Sequence, residues 1–280
     1  MSHSAYDPLL EKAIEIILRA GQEVRSIYDS DQFEVELKAD RSPLTRADRV
    51  SHQVITRELK TTNLPILSEE SRRIDWNVRS GWARFWMVDP LDGTKEFIKR
   101  NGEFTINIAL IDGQRPVMGI IYAPVREVLY FGVQGKGAFK LGDRASEKSL
   151  SSIPGWKNEA IKLPVSETFS VVRAVVSRSH LSEETRDYIQ NLEHDFGSVQ
   201  PISAGSALKL CVIAEGNAEI YPRMGPTMEW DIAAGDIIVS ESGGNLLRTD
   251  GSVLLYNKKD LRNPWFVAQS RAFVKHTGAL

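Results

Sequence analysis

Trp86-Met87-Val88-Asp89-Pro90-Leu91-Asp92-Gly93-Thr94-Lys95-Glu96-Phe97 is the stretch from which the rest of the chain is read. An apolar strand runs directly into two aspartates three residues apart, with a proline between them and a glycine after. Pro90 fixes its own φ and Gly93 permits tight backbone, so the reading is a turn in place of continued strand. A turn brings Asp89 and Asp92 together, where a regular strand sends residues three apart to opposite faces. The Leu91 carbonyl then lies between the carboxylates and faces the same point. Carboxylate and carbonyl oxygens converging on one point suit a hard cation such as Mg2+. Read alone, the segment is more simply an ordinary aspartate-rich turn with solvated carboxylates. Gly93-Thr94 then opens a helix from Lys95 onward, and the free N–H groups of a helix start attract an anion. Cation ligands and a phosphate cradle thus fall within six residues, 89 to 94.

Outward from this point the hydrophobic period changes twice. Residues 8–28 place Leu9, Leu10, Ala13, Ile14, Ile17, Leu18 and Val24 at helical spacing, and Gly21 does not break it. A second helix starts near Thr45 and runs through Ala47, Val50, Val54, Ile55 and Leu59, with Thr45 as cap and Asp48 as its acidic first-turn partner. Strands follow at Pro65–Ser68, Phe85–Val88, Thr105–Ile111, Val117–Tyr122, Val128–Gly132 and Ala138–Leu141. Asp112-Gly113 and Gly135-Lys136-Gly137 mark turns between them. Residues 143–170 are polar and read as a connecting excursion. Beyond it come a strand at Val171–Ser177, helices at Glu183–Leu192, Ala207–Ala214 and Ile232–Ser240, and a strand near Ala218–Tyr221. Helices, then many strands, then alternating α and β make a layered α/β architecture with two packed halves.

Composition sets outer bounds. The chain has 280 residues, 42% hydrophobic and 26% charged, the balance of a folded protein. Its 35 basic and 37 acidic side chains leave −2, so nothing global points to a nucleic-acid or anionic-membrane partner. One cysteine, Cys211, excludes an internal disulfide and a thiolate metal cluster. The first residues lack the basic flank and apolar core of a signal peptide, and no apolar run reaches the roughly 18–20 residues that cross a bilayer. The expectation is a cytoplasmic protein, with a peripheral membrane contact left open and no motif that encodes an oligomeric state.

Two further acidic segments bear on chemistry. Leu67-Ser68-Glu69-Glu70-Ser71 follows a short strand, and Glu229-Trp230-Asp231-Ile232-Ala233-Ala234-Gly235 starts a helix that ends near Ser242-Gly243-Gly244. Alone, Glu69-Glu70 reads as a solvated pair and Asp231 as a helix cap. If Glu69, Asp89, Asp92 and Asp231 share one pocket, six pairs at about 6 Å repel by roughly 3 kcal/mol each at an effective dielectric near 20. The sum is on the order of 15 kcal/mol, comparable to the stability of a whole domain. Such a cluster needs cations or protons, and two Mg2+ would cancel four charges while suiting in-line phosphoryl displacement.

These blocks together resemble the lithium-sensitive, magnesium-dependent phosphatase superfamily of inositol monophosphatase and fructose-1,6-bisphosphatase. They are Ser68-Glu69-Glu70, then Trp86 to Phe97, then Trp230-Asp231-Ile232-Ala233-Ala234-Gly235 with Gly243-Gly244. Within it the chain is similar to the bacterial 3′(2′),5′-bisphosphate nucleotidase branch. The marks are Ser42-Pro43-Leu44-Thr45 before Asp48, Asp92 to Ile98 running into Arg100 to Leu110, Lys95-Glu96 after Gly93-Thr94, Ser177-Arg178-Ser179-His180, Gly205 to Cys211, and Tyr221 to Thr227. Against that branch, residues 143–170 are long, and Glu229 and Ile232 are uncommon neighbours of Asp231.

The resemblance implies a layered αβαβα sandwich. Residues 1–142 would form an N-terminal α+β half and 143–280 a C-terminal α/β half of one catalytic unit. It implies that Glu69, Asp89, Asp92, Asp231 and the Leu91 carbonyl bind two Mg2+, with Asp48 behind them or helping to hold a third, weaker ion. Glu69 and Thr94 would orient a water and accept its proton, with Asp48 also catalytic. The amides of Gly93 and Thr94 would hold the phosphate of a small phosphorylated nucleotide. Extra positive charge for its second phosphate has candidates in Lys209, Arg223, Arg178 and Lys38, with Ser206, Ser177 and Ser179 as hydrogen-bond donors. The implied reaction is removal of the 3′-phosphate of adenosine 3′,5′-bisphosphate, with the 3′-phosphorylated sulfonucleotide as a second substrate. Cys211 sits in an apolar helix and packs, and the five histidines show no metal-ligand spacing, which argues against a covalent enzyme intermediate. An inositol monophosphatase and a catalytically silent nucleotide-binding regulator stand as alternatives.

Overall fold

The computed structural model describes residues 7–30, 35–37, 43–142, 159–176 and 182–278. Helix α1 (Asp7–Asp29) buries Leu10, Ala13, Ile14, Ile17, Ala20 and Val24 along one stripe. A short antiparallel hairpin, β1 (Val35–Leu37) and β2 (Pro43–Thr45), leads into α2 (Arg46–Leu59). Thr45 caps α2: its hydroxyl accepts from the Ala47 amide at 3.2 Å, while the Asp48 carboxylate accepts from the Thr45 amide at 2.8 Å. Then come β3 (Ile66–Ser68), a single helical turn α3 (Trp76–Arg79), β4 (Arg84–Asp92), α4 (Thr94–Ile98), β5 (Thr105–Asp112), β6 (Arg115–Ala123), β7 (Val128–Val133), β8 (Gly137–Leu141) and β9 (Ile161–Lys162). The C-terminal elements are β10 (Val172–Val176), α5 (Glu183–Phe196), β11 (Val199–Ser203), α6 (Leu208–Glu215), β12 (Ile220–Arg223), α7 (Glu229–Glu241), β13 (Asn245–Arg248), β14 (Phe266–Gln269) and α8 (Arg271–Thr277).

Strands β3 to β9 form one sheet in chain order, antiparallel except for the parallel pair β3–β4. A smaller sheet has the order β11-β10-β12-β14-β13. Strand β4 shows why the large sheet is covered on both sides. Trp86 and Val88 pack with α1 and α2, while Phe85 and Met87 pack with α6 and α7. Side chains alternate across a strand, so an unbroken apolar run needs two partners. The α6–α7 layer also packs on Val175, Tyr221, Phe266 and Ala268 of the small sheet, whose other face meets α5 and α8 through Leu192, Phe196 and Phe273. The order of layers is therefore helix, sheet, helix, sheet, helix, the expected αβαβα sandwich. Among the described residues no helix is long and apolar enough to cross a membrane.

Helix α7 lies unusually close to the large sheet because Ala109, Gly119 and Gly132, neighbours across β5, β6 and β7, leave a strip without bulk. A Cβ at Gly119 would stand 2.4 Å from the Ala234 carbonyl oxygen and 2.7 Å from its Cα. Backbone cannot yield there as a flexible side chain would, so α7 must lift. Gly119→Ala is expected to destabilise the protein by about 3 kcal/mol, read as a thermal midpoint several degrees lower. Since α7 carries Asp231, the same shift should reduce activity.

The elements differ from expectation at several points. The largest difference is at Asp89–Asp92, where β4 does not end at a turn but continues to Asp92. Helix α7 begins at Glu229, the start read from the acidic block and three residues before the apolar run at Ile232, and α5 runs on to Phe196. The hairpin β1–β2, α3, β11, β13, β14 and α8 have no counterpart in the sequence reading. Most of the polar excursion, residues 143–158, lies outside the described residues.

Candidate active site

The two aspartates converge through a bulge. Along β4, Asp89 pairs with Asn107 of β5, and the next pair is Asp92 with Thr105. Three steps on one strand thus match two on the other, which is one extra residue. The extra residue lets positions three apart behave as positions two apart, so Asp89 and Asp92 share a face. Pro90 has no N–H to leave unpaired at such a place, and Ser51 of α2 donates to its carbonyl at 2.6 Å. The Leu91 amide donates to Asp89 Oδ1 at 3.0 Å, and the Leu91 side chain is buried on the opposite face. The expected convergence is present, produced within a strand.

The shared face is the one that carries Phe85 and Met87, toward α6 and α7. Asp231, in the first turn of α7, enters from that side, its carboxylate accepting from the Met228 amide at 2.8 Å. Asp231 is thus not the N-cap itself, a place that Met228 takes, but the third helical residue, which reaches back to the N-cap amide, and the same carboxylate acts on Asp92. Glu69 arrives from the end of β3, where its amide donates to the Val88 carbonyl at 3.1 Å, beside Asp89. Glu69 also borders a cavity of about 1000 Å³ that is lined by Arg72, Arg73, Trp76, Trp230 and Lys259. Solvent thus has a route to this carboxylate.

Electrostatics show how the four groups act on one another. Asp89 is pushed well above the ordinary carboxylate range by burial, then by Glu69, Asp92 and Asp231. Asp92 is raised to about 6 by burial, held down in part by Lys209 and pushed up by Glu69 and Glu96. Asp231 is raised to about 8, by burial first and then by Asp92. Among the described residues none of Asp89, Asp92 and Asp231 has an ion-pair partner.

Thr94 and Asp48 form the other wall. Gly93 precedes α4 at φ +90°, a conformation that only glycine adopts without strain. Thr94 Oγ1 donates to Asp48 Oδ1 at 3.2 Å and lies 3.5 Å from the Leu91 carbonyl oxygen. Asp48 Oδ2 accepts from Thr45 Oγ1 at 2.6 Å, so the capping box of α2 fixes the carboxylate that orients Thr94. Ser206 is buried at φ +44° and shares a hydrogen bond of 2.9 Å with Thr105 Oγ1. Lys209 Nζ stands 5.9 Å from the Tyr221 ring centre. Its pKa is lowered by burial, against the pull of Asp92, and further lowered by Arg223. Arg223 donates to the Pro226 carbonyl at 3.1 Å and partly offsets the rise at Asp231. Lys38, Ser177, Arg178 and Ser179 lie outside the described residues.

Two contributors were not singled out in the sequence, Thr105 and Asn107. They alternate with Ile106 and Ile108 on a strand, and polar residues at every second place in an apolar run were the available signal. Cys211 is buried with its thiol pushed up by burial and Glu215, a packing residue as expected. His52 pairs with Ser68 at 2.9 Å.

The donor set fits magnesium in kind. It is all oxygen, largely buried, and carries more negative charge than the surrounding protein neutralises. Among the described residues no three His, Cys, Asp or Glu side chains already stand in a finished ligand arrangement.

Comparison with known proteins agrees with the geometry. The sequence model of the inositol monophosphatase family matches residues 5–278. The chain belongs to the inositol monophosphatase family. Within this family, the 3′(2′),5′-bisphosphate nucleotidase CysQ of Escherichia coli strain K12 is 41% identical over 267 residues, covering 92% of this chain and 98% of that protein. The crystal structure of CysQ from Bacteroides thetaiotaomicron, a bacterial member of the family, superposes with a TM-score of 0.86 at 44% identity, covering 95% of this chain and 98% of that one. The suhB protein of Bartonella henselae, at 22% identity and TM-score 0.74 over 98% of both chains, shares the fold.

Proposed function

We propose that the chain is a metal-dependent 3′(2′),5′-bisphosphate nucleotidase that hydrolyses adenosine 3′,5′-bisphosphate to AMP and phosphate, with the 3′-phosphorylated sulfonucleotide as a further substrate. The observation that carries this reading is the bulge of β4, which turns Asp89 and Asp92 onto the face that also receives Asp231 and Lys209. Bound Mg2+, as two ions with a third, weaker one near Asp48, would neutralise these carboxylates, lower the pKa of a water and balance charge on the leaving oxygen. Glu69, open to solvent through its cavity, and Thr94, oriented by Asp48, hold the attacking water and take its proton. The amides of Gly93 and Thr94 hold the phosphoryl group. Water oxygen bonds to phosphorus as the bond to the ribose 3′ oxygen breaks; the water's proton goes to Glu69 or through Thr94 to Asp48, and the leaving oxygen takes a proton from a second water. Lys209, Arg223 and Ser206 take the second phosphate, which distinguishes a bisphosphate from a monophosphate.

On this reading residues 1–142 and 143–280 are halves of one catalytic unit, the first supplying Asp89 and Asp92 and the second Asp231, Lys209 and Arg223. The reading includes a cytoplasmic location, peripheral attachment to the inner membrane being its alternative. Phosphate release from adenosine 3′,5′-bisphosphate and from inositol 1-phosphate, at equal concentration with Mg2+, tests the substrate. The expected preference for the nucleotide is about tenfold or more, with loss of turnover in millimolar Li+. A preference of about tenfold or more for inositol 1-phosphate sinks the substrate assignment, and silence on both favours a non-catalytic nucleotide binder.

A further inference from the structure

Asn107 is 1% exposed, and neither its amide nitrogen nor its amide oxygen has a hydrogen-bond partner. Other buried side chains with an orphan atom keep a partner elsewhere on the same group. Arg79 donates to Asn257 and to the Lys259 carbonyl, Glu103 accepts from Arg126, and Arg223 donates to Pro226. Among the described residues Asn107 is the case in which every polar atom of the side chain is both buried and unpartnered. A buried amide left so carries a desolvation cost that an apolar side chain at the same place would not. The cost is placed at one position: directly across from Asp89 and on the face that carries Asp92. The amide is near enough to Asp92 to favour its charged form without reaching hydrogen-bond geometry.

We propose that Asn107 is a positioning residue for the magnesium site: its nitrogen is reserved for the Asp89–Asp92 carboxylates and its oxygen for a water of the ion's hydration shell. One donor and one acceptor, both unmet, match a carboxylate and a hydrated cation, since Mg2+ keeps several of its waters. Groups behind metal ligands commonly set affinity in this way, at about 10–100-fold each. Neighbouring Thr105 shows the contrast, because its hydroxyl is already engaged with Ser206. The proposal rests on the metal reading above.

Asn107→Val and Asn107→Thr test it, being nearly isosteric with each other and at home in a strand. The readout is the thermal midpoint of each purified full chain, without metal and then titrated with MgCl2. The Val variant without metal should melt no lower than the parent, having lost two unpaired polar atoms. Its Mg2+ midpoint should rise by about tenfold or more, and the Thr variant, which keeps a donor, should recover part of that loss. A Val variant that melts several degrees lower without metal and keeps the parental Mg2+ midpoint overturns the assignment and makes Asn107 a packing residue. If the Val variant does not fold, a Thr variant with the parental Mg2+ midpoint has the same force. A parent chain indifferent to MgCl2 removes the metal reading itself, which is a separate failure.

Discussion

Asp92→Asn should lower turnover by about a thousandfold or more while making the metal-free protein more stable. The two effects have one cause. Asp92 lies at the end of the bulge, faces Asp231 and Glu69, and has its pKa raised from 3.8 to about 6. At neutral pH the folded chain must hold this group ionised against that shift, which costs on the order of 3 kcal/mol. An amide removes the charge and keeps the shape, so part of that cost is returned as a melting temperature a few degrees higher without metal. The same substitution withdraws one carboxylate from a site that has to gather cations, and turnover goes with it. Steady-state phosphate release and calorimetry on the same sample check both. Turnover within about tenfold of the parent places the chemistry elsewhere, and a lower melting temperature makes Asp92 a structural group.

Asp92 also shows what a sequence can and cannot disclose. Pro90 and Gly93 announce that regular strand geometry is interrupted, and Asp89 with Asp92 announces why. A turn and a one-residue bulge satisfy that pattern equally, because both bring positions three apart to one side. What separates them is the partner strand, and the register of Asn107 and Thr105 is a long-range property. The helices at Thr45 and Glu183 were readable because caps and apolar stripes are local. Strands β13 and β14 were not, for β14 takes its place by pairing with β12, which is distant in sequence, and β13 by pairing with β14.

The site divides in the same way. Glu69, Asp89, Asp92 and Asp231 stand in short recognisable blocks, and they do interact in the folded chain. Lys209, Arg223 and Ser206 were read from resemblance to a family, and each is found beside the cluster. Asn107 falls within the Arg100–Leu110 stretch that resembles the family, but nothing local gave it a role. Its signal is energetic, an unpaired amide in a dry place, and that exists only once the sheet is assembled. The β6 and β7 glycines are similar: Gly119 and Gly132 gain meaning when α7 is seen lying over them, carrying Asp231 to the cluster.

The same cluster fixes how stability should vary with pH, and the expected sign is opposite to that of most paired surface carboxylates. Folded pKa values of about 6 for Asp92 and about 8 for Asp231 exceed the 3.8 of the unfolded chain, and Asp89 is displaced the same way. Between about pH 4 and pH 8 the folded state therefore binds more protons than the unfolded one, and stability falls as pH rises. The contribution is whole below the unfolded value and is lost as pH climbs through the two folded values. Without metal, the melting temperature should drop from pH 5.5 to pH 8 by several degrees, beyond what other titrating groups contribute. Magnesium competes with those protons, so its stabilisation should be small at pH 5.5 and grow toward pH 8. Asp231→Asn flattens both trends if the cluster causes them, since it removes the group displaced to about 8 and relieves Asp89 at once. A metal-free profile that instead rises across this range means that the carboxylates are solvated and independent in solution, and the case for a shared metal site then fails with it.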